Sequence, residues 1–128
     1  MAVCLLASGC GSMTSADMPV AAGRWGGVGI RLDVTAGGAT VDYDCAHGSI
    51  DQPVVADREG RFSATGVHDR EHGGPIRLDE PPDRHPARYD GQLAGASMRL
   101  TVTLLDTGQS VGTFDLTLGG FARVVKCL

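Results

Sequence analysis

The chain has 128 residues, of which 42% are apolar, and a formal net charge of −4 at pH 7. This length accommodates one domain of roughly a hundred residues. The acidic balance, without a clustered basic face, argues against a nucleic-acid-binding protein. The 19 glycines favour many tight turns over long helices.

The first residues predict a signal peptide over positions 1–9. Residues 5–10 read Leu-Leu-Ala-Ser-Gly-Cys, which resembles the lipobox of bacterial lipoproteins, where the cysteine receives lipid and becomes the mature N-terminus. We therefore expect Cys10 to be lipidated and the small, polar residues 10–22 to form a flexible tether. These features predict a protein of the bacterial cell envelope, anchored to the membrane through its N-terminal lipid or secreted.

The four cysteines divide between this leader and the domain predicted for residues 23–128. Cys4 and Cys10 lie in the leader, and Cys45 and Cys127 remain in the domain. An even pair in an exported chain usually forms a disulfide. The bridge would close a loop of about eighty residues and contribute about 4 kcal/mol. A metal site and a reactive thiol are the alternatives, but neither cysteine belongs to a Cys-x-x-Cys pair.

From Trp25 onward, apolar residues recur at every second position, which is typical of half-buried strands. The predicted rows are Val28–Val34, Ala39–Cys45, a weaker edge strand at 50–56, Arg61–His68, Ala87–Leu93, Met98–Leu104, Phe114–Leu118 and Phe121–Cys127. Short turns are predicted at 36–38, 47–49, 57–60, 95, 106–109 and 119–120. Residues 69–86 hold four prolines and predict one long loop.

About eight strands without a helix predict an all-β fold. Consecutive short turns indicate an antiparallel up-and-down meander. Closure into a small barrel, round or flattened, protects the edge strands and buries all the apolar rows together. A two-sheet β-sandwich is the alternative.

Gly23-Arg24-Trp25 resembles the Gly-x-Trp start of the first strand in lipocalins, avidins and related small barrels. The resemblance implies that Trp25 plugs one barrel end and that an arginine of the last strand, Arg123, packs across it. Residues 44–48, 71–75, 89–91 and 126–127 also resemble small exported bacterial proteins to which no activity is attached. That likeness implies export and says nothing about chemistry.

His68-Asp69-Arg70-Glu71-His72 matches the inverted zinc-protease motif His-x-x-Glu-His. That chemistry needs a helix, on which both imidazoles lie one turn apart. On a strand the two histidines would be ~13 Å apart, at ~3.3 Å per residue. A curled loop could instead gather His68, Glu71, His72 and His85 around one ion.

These observations favour a non-catalytic binding or interaction module whose partner is a small ligand or an envelope protein. The expected working surface is the 69–86 loop with its neighbours at one barrel end, with His68, Glu71, His72 and His85 as the candidate binding residues. No catalytic residue, metal ligand or cofactor is assigned, because no Gly-x-Ser-x-Gly elbow or phosphate loop is found. The alternative is a metal-dependent hydrolase that uses His68, Glu71 and His72, and a purely structural envelope part is a third possibility.

Overall fold

The computed structural model describes residues 17–75 and 77–127. The predicted signal peptide, Cys10 and the first part of the tether lie outside the described residues. The strands are β1 Met18–Pro19, β2 Gly23–Gly27, β3 Ile30–Thr35, β4 Gly38–Tyr43, β5 Ala46–Ile50, β6 Val55–Ala56, β7 Arg61–Arg70, β8 Asp83–Ala94, β9 Ser97–Leu104 and β10 Ser110–Leu118.

Eight of these strands form a closed antiparallel barrel in the order β10-β2-β3-β4-β5-β7-β8-β9. Each barrel strand pairs with the next one along the chain, and β9 and β2 both pair with β10. This confirms the predicted all-β up-and-down barrel, and the closed sheet excludes the two-sheet sandwich. β1 and β6 form a separate two-stranded ribbon. Within the described ranges, no helix is long and apolar enough to cross a membrane.

Side chains from every barrel strand fill the interior. Trp25, Leu32, Tyr89 and Leu100 are at most 1% exposed. Burying a side chain of this size stabilises the fold by about 1.5–3 kcal/mol. The period of two in the sequence therefore becomes a single packed core, because each strand directs its apolar row inward.

The first predicted strand is two strands in the structure. Gly29 follows Val28 with a φ of 80°, and there the chain reverses from β2 into β3. The sequence pattern runs through this turn without interruption, because Val28 continues the apolar alternation. Val28 is 78% exposed, however, so its apolar side chain lies outside the core.

The predicted turn at 47–49 was wrong by three residues. The chain turns at Asp44 and Cys45, where Cys45 has a φ of 53°, and Gly48 lies inside β5. A Cβ at Gly48 would lie 2.6 Å from the Tyr89 hydroxyl and 2.3 Å from the Val67 carbonyl. Gly48 thus makes room for a neighbouring strand and its tyrosine, rather than providing a turn.

The long 69–86 loop is shorter than predicted. β7 continues to Arg70 and β8 begins at Asp83, with Val67 opposite Pro86, so the connection covers only residues 71–82. Proline has no backbone N–H, so it cannot donate a hydrogen bond to a neighbouring strand. Pro86 is compatible with β8 because it takes part through its carbonyl, which accepts from the Leu105 N–H.

Two weaker predictions also change. Of residues 50–56 only Val55 and Ala56 form a strand, and they pair with β1 outside the barrel. Residues 121–127 form no strand. Arg123 forms an isolated parallel β-bridge with Val28, and the rest of the segment has no regular secondary structure. By contrast, the predicted turn at Asp57–Gly60 is confirmed, with the Gly60 N–H donating to the Asp57 carbonyl.

Cys45 and Cys127 lie at disulfide-bonding distance, with Cα atoms 4.9 Å apart and a sequence separation of 82. The Cys45 N–H donates to the Val125 carbonyl, and the Val125 N–H donates to Asp44. The C-terminal segment is thereby fastened to the turn between β4 and β5.

We expect the double variant Cys45→Ser/Cys127→Ser to lose about 4 kcal/mol of unfolding free energy, because the open chain gains loop entropy in the unfolded state. Urea denaturation of the oxidised protein and the variant measures this difference. The oxidised protein treated with dithiothreitol is the control and should match the variant. Equal midpoints for the oxidised protein and the variant would show that the crosslink contributes nothing.

Candidate functional site

The turns β2–β3, β4–β5 and β9–β10 meet the 71–82 connection at one barrel end, which we call the mouth. The opposite, closed end carries the β1–β6 ribbon and the turns at 36–37 and 95–96. The mouth is the end that the sequence predicted as the working surface, although its residues differ from the predicted set.

A depression of about 410 Å³ opens at the mouth. Tyr43, Phe114 and Val111 form its apolar walls, and Asp44, His68 and Arg70 supply its polar groups. The Phe114 ring lies 5.8 Å from the Tyr43 ring, measured between centroids. Apolar walls with a few convergent polar groups are typical of sites for small ligands.

Tyr43 is held in place by a buried chain of hydrogen bonds. Its hydroxyl donates to the Tyr89 hydroxyl at 3.1 Å, and Tyr89 donates to the Val67 carbonyl at 2.7 Å. Burial raises the pKa of Tyr89 to about 12 and also raises the pKa of Tyr43. Both hydroxyls therefore stay protonated, and the wall they form is rigid and neutral.

His68 is the most unusual group at the mouth. It is 4% exposed, its ring packs edge-on against Tyr43 with centroids 4.8 Å apart, and its Nδ1 has no hydrogen-bond partner among the described residues. A buried polar atom left unpaired costs about 1–3 kcal/mol. Burial lowers the pKa of His68, and the nearby charge of Arg70 lowers it further. The imidazole is therefore neutral at pH 7.

Arg70 lies two residues beyond His68 on the same face of β7. Its guanidinium donates to the Gln109 side chain at 3.1 Å, in the turn between β9 and β10. No carboxylate pairs with it in the described part of the chain, whereas Arg84 makes a forked pair with Asp69. Arg70 thus brings an uncompensated positive charge to the mouth.

His85 lies directly opposite His68 in the β7–β8 register. Its ring nitrogens contact Asp106 at 2.7 Å and Asp83 at 2.9 Å. The hydrogen bond to Asp106 raises the pKa of His85. Both nitrogens are occupied, so His85 belongs to the rim of the mouth and holds the β9–β10 turn in place.

Glu71 lies on the outer face of the barrel and not in the mouth. Its carboxylate contacts His47 at 2.6 Å and accepts from Lys126 at 3.1 Å. Burial acts to raise its pKa, but these two hydrogen bonds outweigh that effect and hold it below the usual value. Beside it, Asp69 is 5% exposed and accepts both bonds of the Arg84 fork, which lowers its pKa.

His72 lies in the 71–82 connection and pairs with Glu80. Hydrogen bonds to the Gly73 carbonyl and to Glu80 raise its pKa. The three histidines and one glutamate predicted to act together do not share one site. His68 lies in the mouth and His85 on its rim, whereas Glu71 and His72 line a separate depression of about 330 Å³ beside the connection. Across residues 17–75 and 77–127, no three acidic, histidine or cysteine side chains are grouped to hold a metal ion.

Comparison with protein-family models, curated proteins and solved structures gives no match. The functional interpretation therefore depends on the geometry of the mouth. The metal-dependent hydrolase stays a prediction, and no grouping of the described residues favours it.

Trp25 and Arg123, the pair implied by the Gly-x-Trp resemblance, occupy different places. Trp25 is 1% exposed, and its Nε1 donates to the Ala21 carbonyl at 3.0 Å. Arg123 is exposed and follows β10 by five residues, and its backbone bonds to Gly27 and Gly29 near the mouth. No hydrogen bond or cation–π contact joins the two side chains as far as the described residues go.

Three residues that line the depression were not predicted from the sequence: Tyr43, Arg70 and Phe114. A usable signal was present, because the inward positions of β7 continue from Phe62 and Ala64 through His68 to Arg70. That signal was lost when the strand was ended at His68. Extending the alternation by two residues would have placed Arg70 inside the mouth.

We expect His68→Leu to leave the unfolding free energy at pH 7 unchanged or to raise it by about 1 kcal/mol, because the variant removes an unpaired buried polar atom. His85→Leu is the matched control from the opposite register position, and it should be destabilised at pH 6, where it loses two hydrogen bonds to carboxylates. Urea denaturation measures both. A clear loss of stability in His68→Leu would mean that the imidazole is a structural group.

The His68→Leu variant also tests how the unfolding free energy depends on the protonation of His68. The folded-state pKa of His68 lies below its ordinary value of 6.5, so the unfolded chain binds a proton more readily at this residue. The native protein should therefore lose stability relative to His68→Leu as the pH falls below about 6.5 towards the folded-state pKa. A constant difference between pH 7.5 and pH 5 would contradict the neutral, buried imidazole.

Proposed function

We propose that the protein is a non-catalytic binding module of the bacterial envelope, exported and anchored through lipid on Cys10, that holds a small ligand at the barrel mouth. The observation that carries this proposal is the buried His68 imidazole with its unpartnered Nδ1. A buried polar group that has no partner and lines a depression is a candidate functional position, because packing alone does not explain it.

Binding is favoured over catalysis by the surroundings of His68. A general base is normally oriented by a carboxylate or activates an adjacent nucleophile. No carboxylate, hydroxyl or thiol hydrogen-bonds to His68 within the part of the chain that the structure describes. Its contact is instead the edge of an aromatic ring, which fixes the orientation of the imidazole without making it a stronger base.

The placement of the two cysteines supports export, since disulfides persist in oxidising compartments such as the bacterial periplasm. The position at which the N-terminal segment joins the barrel supports anchoring at the closed end. β1 pairs with β6 there, and Ala21 accepts from Trp25. A tether that reaches the domain at the closed end would direct the mouth away from the membrane.

We expect intact mass spectrometry of the membrane fraction of a bacterial host to show diacylglycerol on Cys10 and the loss of two hydrogens for the Cys45–Cys127 bridge. The Cys10→Ala variant is the control, and it should no longer be found in the membrane fraction. A full-length chain with free thiols, found only in the cytosol, would contradict export and anchoring together.

We expect a fragment screen by ¹⁵N nuclear magnetic resonance on the Cys10→Ala protein to give hits that perturb Tyr43, His68, Val111 and Phe114. His68→Leu should weaken such hits at least threefold, because it removes the polar partner within the depression. Perturbations confined to the closed end, around Trp25 and Gly95, would show that the mouth is not the binding site.

A further inference from the structure

We infer that the ligand is a small monocarboxylate with an apolar or aromatic body, whose carboxylate pairs with Arg70 and His68 at the mouth. This inference rests on the proposed function and specifies its ligand class. It follows from three features of the mouth in the described part of the chain: an arginine that pairs with no carboxylate, an imidazole whose Nδ1 has no hydrogen-bond partner, and an apolar wall beside a single acid.

The first feature is the free charge of Arg70. Arg31, Arg84, Arg88 and Arg99 each pair with a carboxylate of the barrel surface. Several other arginines have no carboxylate partner among the described residues, and of these Arg70 is the one that lines the depression at the mouth. Arg70 instead donates one bond to the neutral amide of Gln109, which leaves other N–H groups of its planar fork for a ligand. A guanidinium fork matches the two oxygens of a carboxylate, and such charged pairs are the stronger class of hydrogen bond.

The second feature is the charge that surrounds His68. The charged or titratable groups that act on it are Arg70 and Asp69 on β7, His85 on β8 and His47 on β5, and the ring of Tyr43 on β4 packs against it. Asp69 is already paired with Arg84 and His47, and His85 is paired with Asp106 and Asp83. Arg70 is therefore the charge beside His68 that has no carboxylate partner among the described residues, and it favours an anionic ligand at this position.

The third feature is the wall that faces this charge. Phe114 is half-buried and Val111 is partly exposed, so each offers apolar surface to a ligand body. Asp44 bounds the depression, where its Oδ1 accepts from the Val125 N–H. A second negative group on the ligand would meet this carboxylate, so the mouth favours a single charge.

A carboxylate at this position would also change the protonation of His68. It offsets the positive charge of Arg70, so the imidazole takes up a proton more readily in the complex than in the free protein. Binding is then linked to proton uptake, and the affinity should rise as the pH falls from 8 to 6, by at most tenfold per pH unit for one proton. His85 contributes in the same direction where it titrates, and His68→Leu separates the two residues.

The test is a ¹⁵N nuclear magnetic resonance titration of the oxidised Cys10→Ala protein with phenylacetate at pH 6 and pH 8. We expect saturable shifts at Tyr43, His68 and Phe114, and tighter binding at pH 6. Arg70→Gln should weaken binding at least tenfold. Arg61→Gln is the matched control, because Arg61 lies on the same strand at the closed end and also donates to a glutamine side chain. His68→Leu should lose most of the pH dependence.

Three further probes separate the outcomes. Phenylacetamide that binds as tightly as phenylacetate would overturn the carboxylate inference and leave the mouth as a binding site. Inorganic phosphate or succinate that binds as tightly would show a general anion site and would also overturn it. If phenylacetate fails at the mouth while neutral fragments bind there, the ligand class is wrong. If neither binds at the mouth, the proposed function fails as well.

Discussion

Closure of the barrel between β2 and β10 is the constraint on which the rest of the structure depends. The seam is short, because only Gly26 with Thr117 and Trp25 with Leu118 are in register. A Cβ at Gly26 would lie 2.4 Å from the Gly120 carbonyl, and one at Gly27 would lie 2.1 Å from the Asp115 carbonyl. Any side chain at either position would separate the strands, so the two glycines permit the closure that buries the apolar rows.

The segment after β10 extends this seam. The Arg123 N–H donates to the Gly27 carbonyl, and the Gly29 N–H donates to the Arg123 carbonyl. The segment then reaches Ala46, whose carbonyl accepts from Lys126, and ends beside Cys45. Closure is therefore secured at the mouth as well as in the sheet. Because Cys45 also lines the depression, the same crosslink restricts the motion of this wall, and it would lower the entropic cost of binding the ligand that we propose.

The fold was predictable because burial in a barrel needs only a period of two, and the sequence keeps that period in nearly every strand. The wrong predictions concern turns, because backbone geometry and not apolar periodicity determines where the chain turns. Val28 continues the alternation but is exposed beside a turn, and Gly48 has turn chemistry but accommodates the Tyr89 hydroxyl. The exposure of Val28 and the close contact at Gly48 both depend on chain segments that are distant in the sequence, so neither can be predicted from the local pattern of residues.

The candidate site was only partly predictable for a similar reason. His68 was singled out through a zinc motif whose chemistry needs a helix, whereas its role in the structure comes from its inward position on β7. Glu71 and His72, from the same motif, follow the end of the strand, and there the outer face and the connection hold them apart from His68. Spacing along the sequence does not reveal on which side of a barrel wall each side chain lies.

The inward row of β7 changes in character along its length, from apolar in the core to polar at the mouth. It begins with Phe62 and Ala64 in the core, passes Gly66, and ends with His68 and Arg70 at the mouth. Strand geometry forces all five positions to the same face, so a sequence shaped by stability alone would place apolar residues at the last two as well. Among the described residues, the mouth instead places an imidazole whose Nδ1 has no hydrogen-bond partner beside a guanidinium that donates to Gln109. The unpartnered nitrogen of His68 costs stability, whereas the exposed guanidinium of Arg70 is solvated and carries no such cost. The anion that we propose would therefore add a charged partner for Arg70 without having to offset a penalty there.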